Sequence, residues 1–229
     1  MKSANKAIIT IYYINIEDVS WNEIFSMLNI VPKQEKQKIL EMQQEKDRCL
    51  SLVGKLLLLY SLNQKLTKKV NRLPKLEYTS YGKPQWENIS SFFNISHSGN
   101  MVACASGYDK NIGIDIELIK NYSIDMFTEI LTLKEYEQLK KSNNIIKLIQ
   151  IWTIKEAVLK ADGRGFYADP KKIIIQDNKA YFENRILSIK SKTIREKYLI
   201  SIASEFDSIV LYKEINIKDI IFMLTCLQD

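Results

Sequence analysis

Three short stretches of this 229-residue chain carry side chains whose types and spacing suit phosphate chemistry. The first is GIDIE, residues 113–117. In an extended strand successive side chains alternate, so Asp115 and Glu117 share one face while Ile114 and Ile116 share the other. Two neighbouring carboxylates repel unless a cation or a set of donors lies between them. Oxygen ligands of this kind suit Mg²⁺, which takes one or two protein carboxylates and fills its remaining positions with water and substrate phosphates. Taken alone, so short a motif reads as an edge strand bearing two ordinary acids.

The second stretch is WTIKEAVLKADGRGF, residues 152–166. Glu156 and Lys160 lie four apart and therefore on one helix face, a pairing worth about 0.2–0.5 kcal/mol at a surface. Their neighbours Trp152, Ile154, Ala157, Val158 and Leu159 are apolar. A carboxylate on a largely buried helix needs a partner, and Asp115 and Glu117 with a metal between would supply one. Gly163 and Gly165 follow this helix instead of opening one, so they read as cap and turn, not as a phosphate loop.

The third stretch is FFNISHSGN, residues 92–100, which holds His97, the chain's one histidine. A single imidazole excludes a histidine-rich metal site. Cations come from Lys33, Lys36 and Arg48 upstream and from Lys83 in YGKP. Singly, each is an ordinary solvated residue. Together with Ser96 and His97, read as a corner after a strand, they offer ammonium, hydroxyl and imidazole donors to anionic oxygens.

The elements that must position these groups follow from local pattern. Residues 7–16 are rich in β-branched and aromatic types and predict a strand. Residues 21–28 predict a short amphipathic helix. Residues 31–66 run helical from a Pro at the first turn, with a break near Gln43 and Gln44. Strand residues precede the YGKP turn, and strands are predicted at 92–96, 101–107 and 111–119. Helical segments follow at about 122–131 and 132–142. The longest helix is expected at about 145–162, capped by Gly163. Five strand-like runs fill residues 171–215. Each half thus opens with strands, carries a long helix and closes with strands. The expected fold is α+β, two similar halves related by a pseudo-twofold axis, each a small, mainly antiparallel sheet with a long helix. Residues 1–108 and 109–229 form the halves, dividing at the turn 107–111. No residue-by-residue repeat is visible.

Composition narrows the classes. With 46% hydrophobic and 26% charged residues, seven glycines and four prolines, the chain is globular and not linker-rich. A net charge of +6 favours an anionic partner without naming it. Cys49, Cys104 and Cys226 form no C-x-x-C pair, which argues against a disulfide framework or a zinc site and for a reducing, cytoplasmic setting. The first apolar stretch ends at Glu17 and Asp18, too short for a membrane span and without a cleavage site. Lys55 interrupts the other apolar run, residues 52–62, which reads as a buried helix.

Taken in order, YGKP, FNISHSG, GIDIE and WTIKEAVLKADGRGF resemble the 4′-phosphopantetheinyl transferases, in particular the two-halved type that activates surfactin-like peptide synthetases. The resemblance extends from about residue 31 to residue 166. It implies transfer of the phosphopantetheine arm of coenzyme A to a serine of an acyl or peptidyl carrier protein, in peptide, polyketide or fatty-acid synthesis, releasing adenosine 3′,5′-bisphosphate. It implies an active site between the halves, with the coenzyme A 3′-phosphate and adenine on the first half. By the same resemblance Asp115, Glu117 and Glu156 bind Mg²⁺, or Mn²⁺ in its place, and Lys160 meets the pyrophosphate. Ser96, His97, Lys33, Lys36 and Arg48 hold the 3′-phosphate, and Lys83 sits near the adenine and its phosphates. Glu156 or a metal-bound water would take the serine proton, with Asp115 and Lys160 completing the catalytic set. The carrier is expected to dock on the helices after Glu117, and the protein to act as a monomer without nucleic acid or membrane. Cys49 replaces a threonine of the family pattern, Ile130 and Leu131 replace paired aromatics, and Lys120 and Glu135 keep the family's basic and acidic residues.

Two other readings fit the same residues: a Mg²⁺-dependent phosphodiesterase or nuclease, and a non-catalytic adaptor for acidic carrier proteins. Against the first stands the concentrated Ser-His corner in place of a continuous basic groove with aromatics. Against the second stands the intact set of Asp115, Glu117, Glu156 and Lys160.

Overall fold

The structure is a computed structural model and describes residues 6–227; the outermost ends of the two expected halves lie outside that range. Strand alternation builds its layers. In β1 (Ile8–Asn15), Ile9 and Ile11 face one way, and Tyr12 and Ile14 face the other. β1 lies between β11 (Ile209–Glu214) and β5 (Met101–Gly107), and β4 (Phe92–Ser98) completes a four-stranded sheet ordered β11-β1-β5-β4. The second sheet runs β6 (Gly113–Leu118), β10 (Tyr198–Ser204), β9 (Arg185–Ile194), β8 (Lys179–Phe182), β7 (Ile174–Gln176), and all its pairings are antiparallel.

The inner faces of the two sheets share one core. Ile9, Ile11, Met101 and Ala103 of the first pack with Ile114, Ile116, Ile200 and Ile202 of the second. A long helix covers each outer face. α3 (Glu45–Asn63) buries a leucine-rich surface against Tyr12, Ile14 and Val102. α5 (Ile145–Asp162) packs Ile154, Ala157 and Val158 against Ile189 and Ala203. Burial of such side chains contributes about 1.5–3 kcal/mol each and holds the layers together. The expected α+β fold with two halves, each a small sheet under a long helix, is the one observed.

Local departures have local causes. The helix expected at 21–28 is one turn, α1 (Trp21–Ile24), which tightens into a 3₁₀ segment, Phe25–Ile30. Its successor α2 (Lys33–Leu40) ends before the predicted break, and α3 begins at Glu45. The segment expected helical at 122–131 holds only a 3₁₀ turn, Ile124–Phe127, before α4 (Leu133–Ser142). α5 has the expected bounds, but at 18 residues it is one shorter than α3. His97 is not at a corner: β4 runs on to Ser98, and Gly99, at φ 58°, makes the turn with Asn100. β2 (Leu76–Tyr78) and β3 (Pro84–Trp86) form a separate hairpin around Gly82, at φ 83°.

The chain's last segment returns to the first half. β11 pairs with β1 in parallel, Ile8 opposite Ile209. The following α6 (Ile217–Thr225), absent from the sequence expectations, buries Ile220 and Leu224 in the cluster under α3. The second half's sheet and helix therefore end at β10, and the strand expected to close it closes the other sheet. Between the halves, buried Asp109 accepts hydrogen bonds from Asn111 N at 2.9 Å and Glu205 N at 2.7 Å, fixing the connecting turn.

Candidate active site between the halves

The two sheets meet edge to edge at β4 and β6, where polar side chains replace the backbone ladder. Asn94 Oδ1 accepts from Ile114 N at 2.9 Å, and Ser98 Oγ accepts from Leu118 N at 3.2 Å. Asn94, Ser96 and Ser98 alternate along β4 and so point the same way. Across the seam Ser96 Oγ donates to Asp115 Oδ1 at 2.8 Å and Ser98 Oγ donates to Glu117 Oε2 at 2.6 Å. The shared face predicted for Asp115 and Glu117 is the one turned toward α5, while Ile114 and Ile116 enter the common core.

α5 reaches this face because Gly113 lets it. A Cβ there would stand 2.0 Å from Ala157 O and 2.3 Å from Ala161 N. Asn144 accepts from Lys147 N at 2.9 Å to open the helix, and Gly163, at φ 94°, closes it. The result places Lys160 Nζ 2.6 Å from Asp115 Oδ1 and 2.9 Å from Ser96 Oγ. Glu156 joins the same electrostatic environment. Burial raises its pKa from the ordinary value and the charge of Asp115 adds to the effect. Burial pushes Glu117 up to about 7, with Asp115 and Glu156 adding to the rise and Ser98 and Lys160 opposing it.

Asp115 holds the Lys160 ammonium, and Glu117 and Glu156 lie near enough to feel both charges. Asp115 Oδ2 is buried without a hydrogen-bond partner, a costly arrangement that a cation would relieve. Among the described residues no three His, Cys, Asp or Glu side chains stand ready-made as a metal cluster. Even so, the orphaned oxygen, the raised acids and the all-oxygen donor set fit a hard divalent cation.

The other residues singled out in the sequence are dispersed. Ser96 and His97 are neighbours in a strand and send their side chains to opposite faces. Ser96 turns to Asp115, and His97 lines a cleft of about 470 Å³ beside Ser51, Gly54 and Lys55 of α3. None of Lys33, Lys36 and Arg48 lines that cleft. Lys36 Nζ donates to Asn29 Oδ1 at 3.2 Å. Arg48 donates to the Met42 carbonyl at 3.2 Å and lies over the Trp21 ring. Lys83 crosses the seam and donates to the carbonyls of Ile112 at 3.2 Å and Ala161 at 3.0 Å. From the His97 cleft the surface continues over Pro84 and Ile95 into a recess of about 230 Å³ that reaches Asn94 and Lys160.

Several organising residues escaped the sequence reading. Asn94 and Ser98 carried a signal, their period-2 spacing with Ser96. Lys55 pairs with buried Glu35 at 2.7 Å, and Tyr78 donates to the same carboxyl at 2.5 Å, which ties α2 to α3 and β2. Lys155, between Ile154 and Glu156, is fully buried and donates to Glu135 Oε2 at 2.7 Å and Ile130 O at 2.9 Å.

Comparison with known proteins gives this constellation its setting. A model of the 4′-phosphopantetheinyl transferase superfamily matches residues 111–203. A second, for the N-terminal part of a 4′-phosphopantetheinyl transferase, matches residues 18–109. The chain belongs to the 4′-phosphopantetheinyl transferases. It is an enzyme of the two-halved type. The 4′-phosphopantetheinyl transferase gsp of Aneurinibacillus migulanus is 29% identical over 211 residues, 88% of this chain and 88% of that protein. The transferase Sfp of Bacillus subtilis is 30% identical over 151 residues, 63% and 64% of the two chains. The transferase HetI of a Nostoc species is 37% identical over 100 residues, 40% and 42%. Family membership favours a transferase over both the phosphodiesterase and the adaptor. Among the described residues no helix is long and apolar enough to cross a membrane.

Proposed function

We propose that this transferase moves the 4′-phosphopantetheine arm of coenzyme A onto a serine of an acyl or peptidyl carrier protein in a Mg²⁺-dependent reaction that releases adenosine 3′,5′-bisphosphate. The observation that supports it most is the buried, partnerless Asp115 Oδ2 beside the Lys160 ammonium. In the reaction the serine Oγ–P bond forms and the phosphoanhydride bond breaks. The serine proton leaves with a base and the adenosine bisphosphate takes the electron pair.

Asp115, Glu117 and Glu156 would hold the metal, which supplies charge neutralisation to a pyrophosphate. Lys160, already hydrogen-bonded at this point, would stabilise the charge that builds on the transferred phosphoryl group. Glu156, whose pKa is raised by burial, would be one candidate to accept the serine proton. Ser96 and Ser98 hold Asp115 and Glu117 in place. Coenzyme A would lie along the trough over Pro84 and Ile95, its 3′-phosphate toward His97 and its adenine toward Lys83. Lys36 donates to Asn29 and Arg48 to the Met42 carbonyl, each keeping further donors for a phosphate, while Lys33 is exposed on α2. We place the protein, as a monomer, in the reducing cytoplasm, in keeping with its three free cysteines, two of them buried.

The test is intact-mass spectrometry of an apo peptidyl carrier protein incubated with the enzyme, coenzyme A and Mg²⁺. The expected result is a gain of the phosphopantetheine mass that disappears with a chelator and with Asp115→Ala. Transfer that survives a chelator would remove the metal from the scheme. No transfer to several carriers, and no coenzyme A binding, would overturn the reading.

A further inference from the structure

We infer that Lys83 is a positioning residue that clasps the two halves together and that its ammonium is not a ligand of the bound substrate. Its expected effect on turnover rests on the transferase reading above.

Lys83 leaves the β2–β3 turn of the first half, and both of its acceptors belong to the second. Ile112 O precedes β6, which carries Asp115 and Glu117, and Ala161 O directly follows Lys160 in the last turn of α5. These two elements touch at Gly113, whose Cβ would overlap Ala157 O and Ala161 N. The ammonium therefore bridges β6 and α5 beside this close approach, and it ties both to the first half.

The acceptors suit a resident cation. The last carbonyls of a helix have no intrahelical donor, and the partial negative charge of a helix C-terminus favours an ammonium. Removing the donor would leave a part-buried carbonyl without its partner, which is costly. The fit extends to the alkyl chain: a Cβ on Gly163 would stand 3.3 Å from Lys83 Cδ. Gly163 thus both closes α5 and leaves room for the lysine. Two of the ammonium's three N–H donors are committed to these carbonyls, which fixes its position at the seam. The methylene chain can still wall the recess that reaches Lys160.

The experiment compares wild type, Lys83→Met and Lys83→Arg by three readouts. These are Tm without coenzyme A, the coenzyme A Kd by calorimetry, and kcat and KM with a carrier protein. A clasp predicts that Lys83→Met lowers the ligand-free Tm by about 3 °C or more. It also predicts a coenzyme A Kd within about twofold of wild type and a kcat about tenfold lower, partly restored in Lys83→Arg. A Lys83→Met protein that fails to fold, beside a folded Lys83→Arg, supports the clasp equally. An unchanged ligand-free Tm with a Kd weakened about tenfold or more would overturn it and make Lys83 a ligand. If wild type transfers nothing, the transferase reading fails, while Tm and Kd still decide the clasp.

Discussion

Ser96 Oγ and Asp115 Oδ1 face each other 2.8 Å apart across the seam between two sheets, and Lys160 Nζ closes the triangle at 2.9 and 2.6 Å. One side chain comes from β4, one from β6 and one from α5. The three elements that meet at the site are thus locked by its own polar groups, with Asp115 Oδ2 left without a partner.

Asp115→Asn keeps the shape of this junction and removes its charge. Turnover is expected to fall about 100-fold or more, because charge stabilisation at a reacting phosphate is lost. Steady-state kinetics checks this, with calorimetric Mg²⁺ binding as the second readout. A variant with near wild-type kcat would show that Asp115 is not part of the machinery.

Gly113→Ala should be among the most disruptive small substitutions in the chain. The added Cβ would stand 2.0 Å from a helix carbonyl, so β6 and α5 must separate. Overpacking of this kind costs about 1–3 kcal/mol and more against rigid backbone. Urea unfolding should show the loss, and kcat should fall with it as Asp115 recedes from Lys160. An unfolding midpoint equal to wild type would mean that the two elements separate freely.

Lys155 and Glu135 predict an asymmetric pair of variants. Glu135→Ala strands a fully buried ammonium, and breaking such a pair costs about 3–5 kcal/mol. It also removes one half of the capping box of α4, in which Glu135 Oε2 accepts from Thr132 N at 2.8 Å. Lys155→Met leaves Glu135 its Thr132 donors and should cost less. Chemical denaturation of both variants would rank them, and the reverse order would refute the reasoning.

Glu35 sets an acid limb of stability. Burial would raise its pKa, but hydrogen bonds from Lys55 and Tyr78 outweigh burial and hold it below the ordinary value. A carboxyl depressed in the folded state contributes stability that is present above its unfolded pKa, about 4. That stability is lost as pH falls through the folded value. Glu35→Gln should therefore lose about 1–3 kcal/mol at neutral pH. Its stability should also fall less than wild type's on going from pH 5 to pH 3. Parallel pH curves for the two proteins would remove Glu35 from the account.

Much of the site was legible because its parts are local. The alternation of GIDIE puts Asp115 and Glu117 on one face, and the four-residue spacing puts Glu156 and Lys160 on another. The end of α5 was legible from Gly163, which caps by its own φ, while the structure adds Asn144 as the side-chain cap that opens it. The same alternation separates Ser96 from His97 once β4 is seen to run through both, a point hidden by reading Ser-His-Ser-Gly as a corner. By contrast, the partners of Lys83 and Arg48 are backbone carbonyls, which every residue carries and no sequence pattern marks. The pairing of β11 with β1 likewise joins strands from opposite ends of the chain. By itself the sequence determined which side chains share a face, since strand and helix periods are local. Tertiary structure alone decided which faces meet, because that depends on how two apolar sheet faces and two helices bury one another, with Gly113 allowing the closest approach.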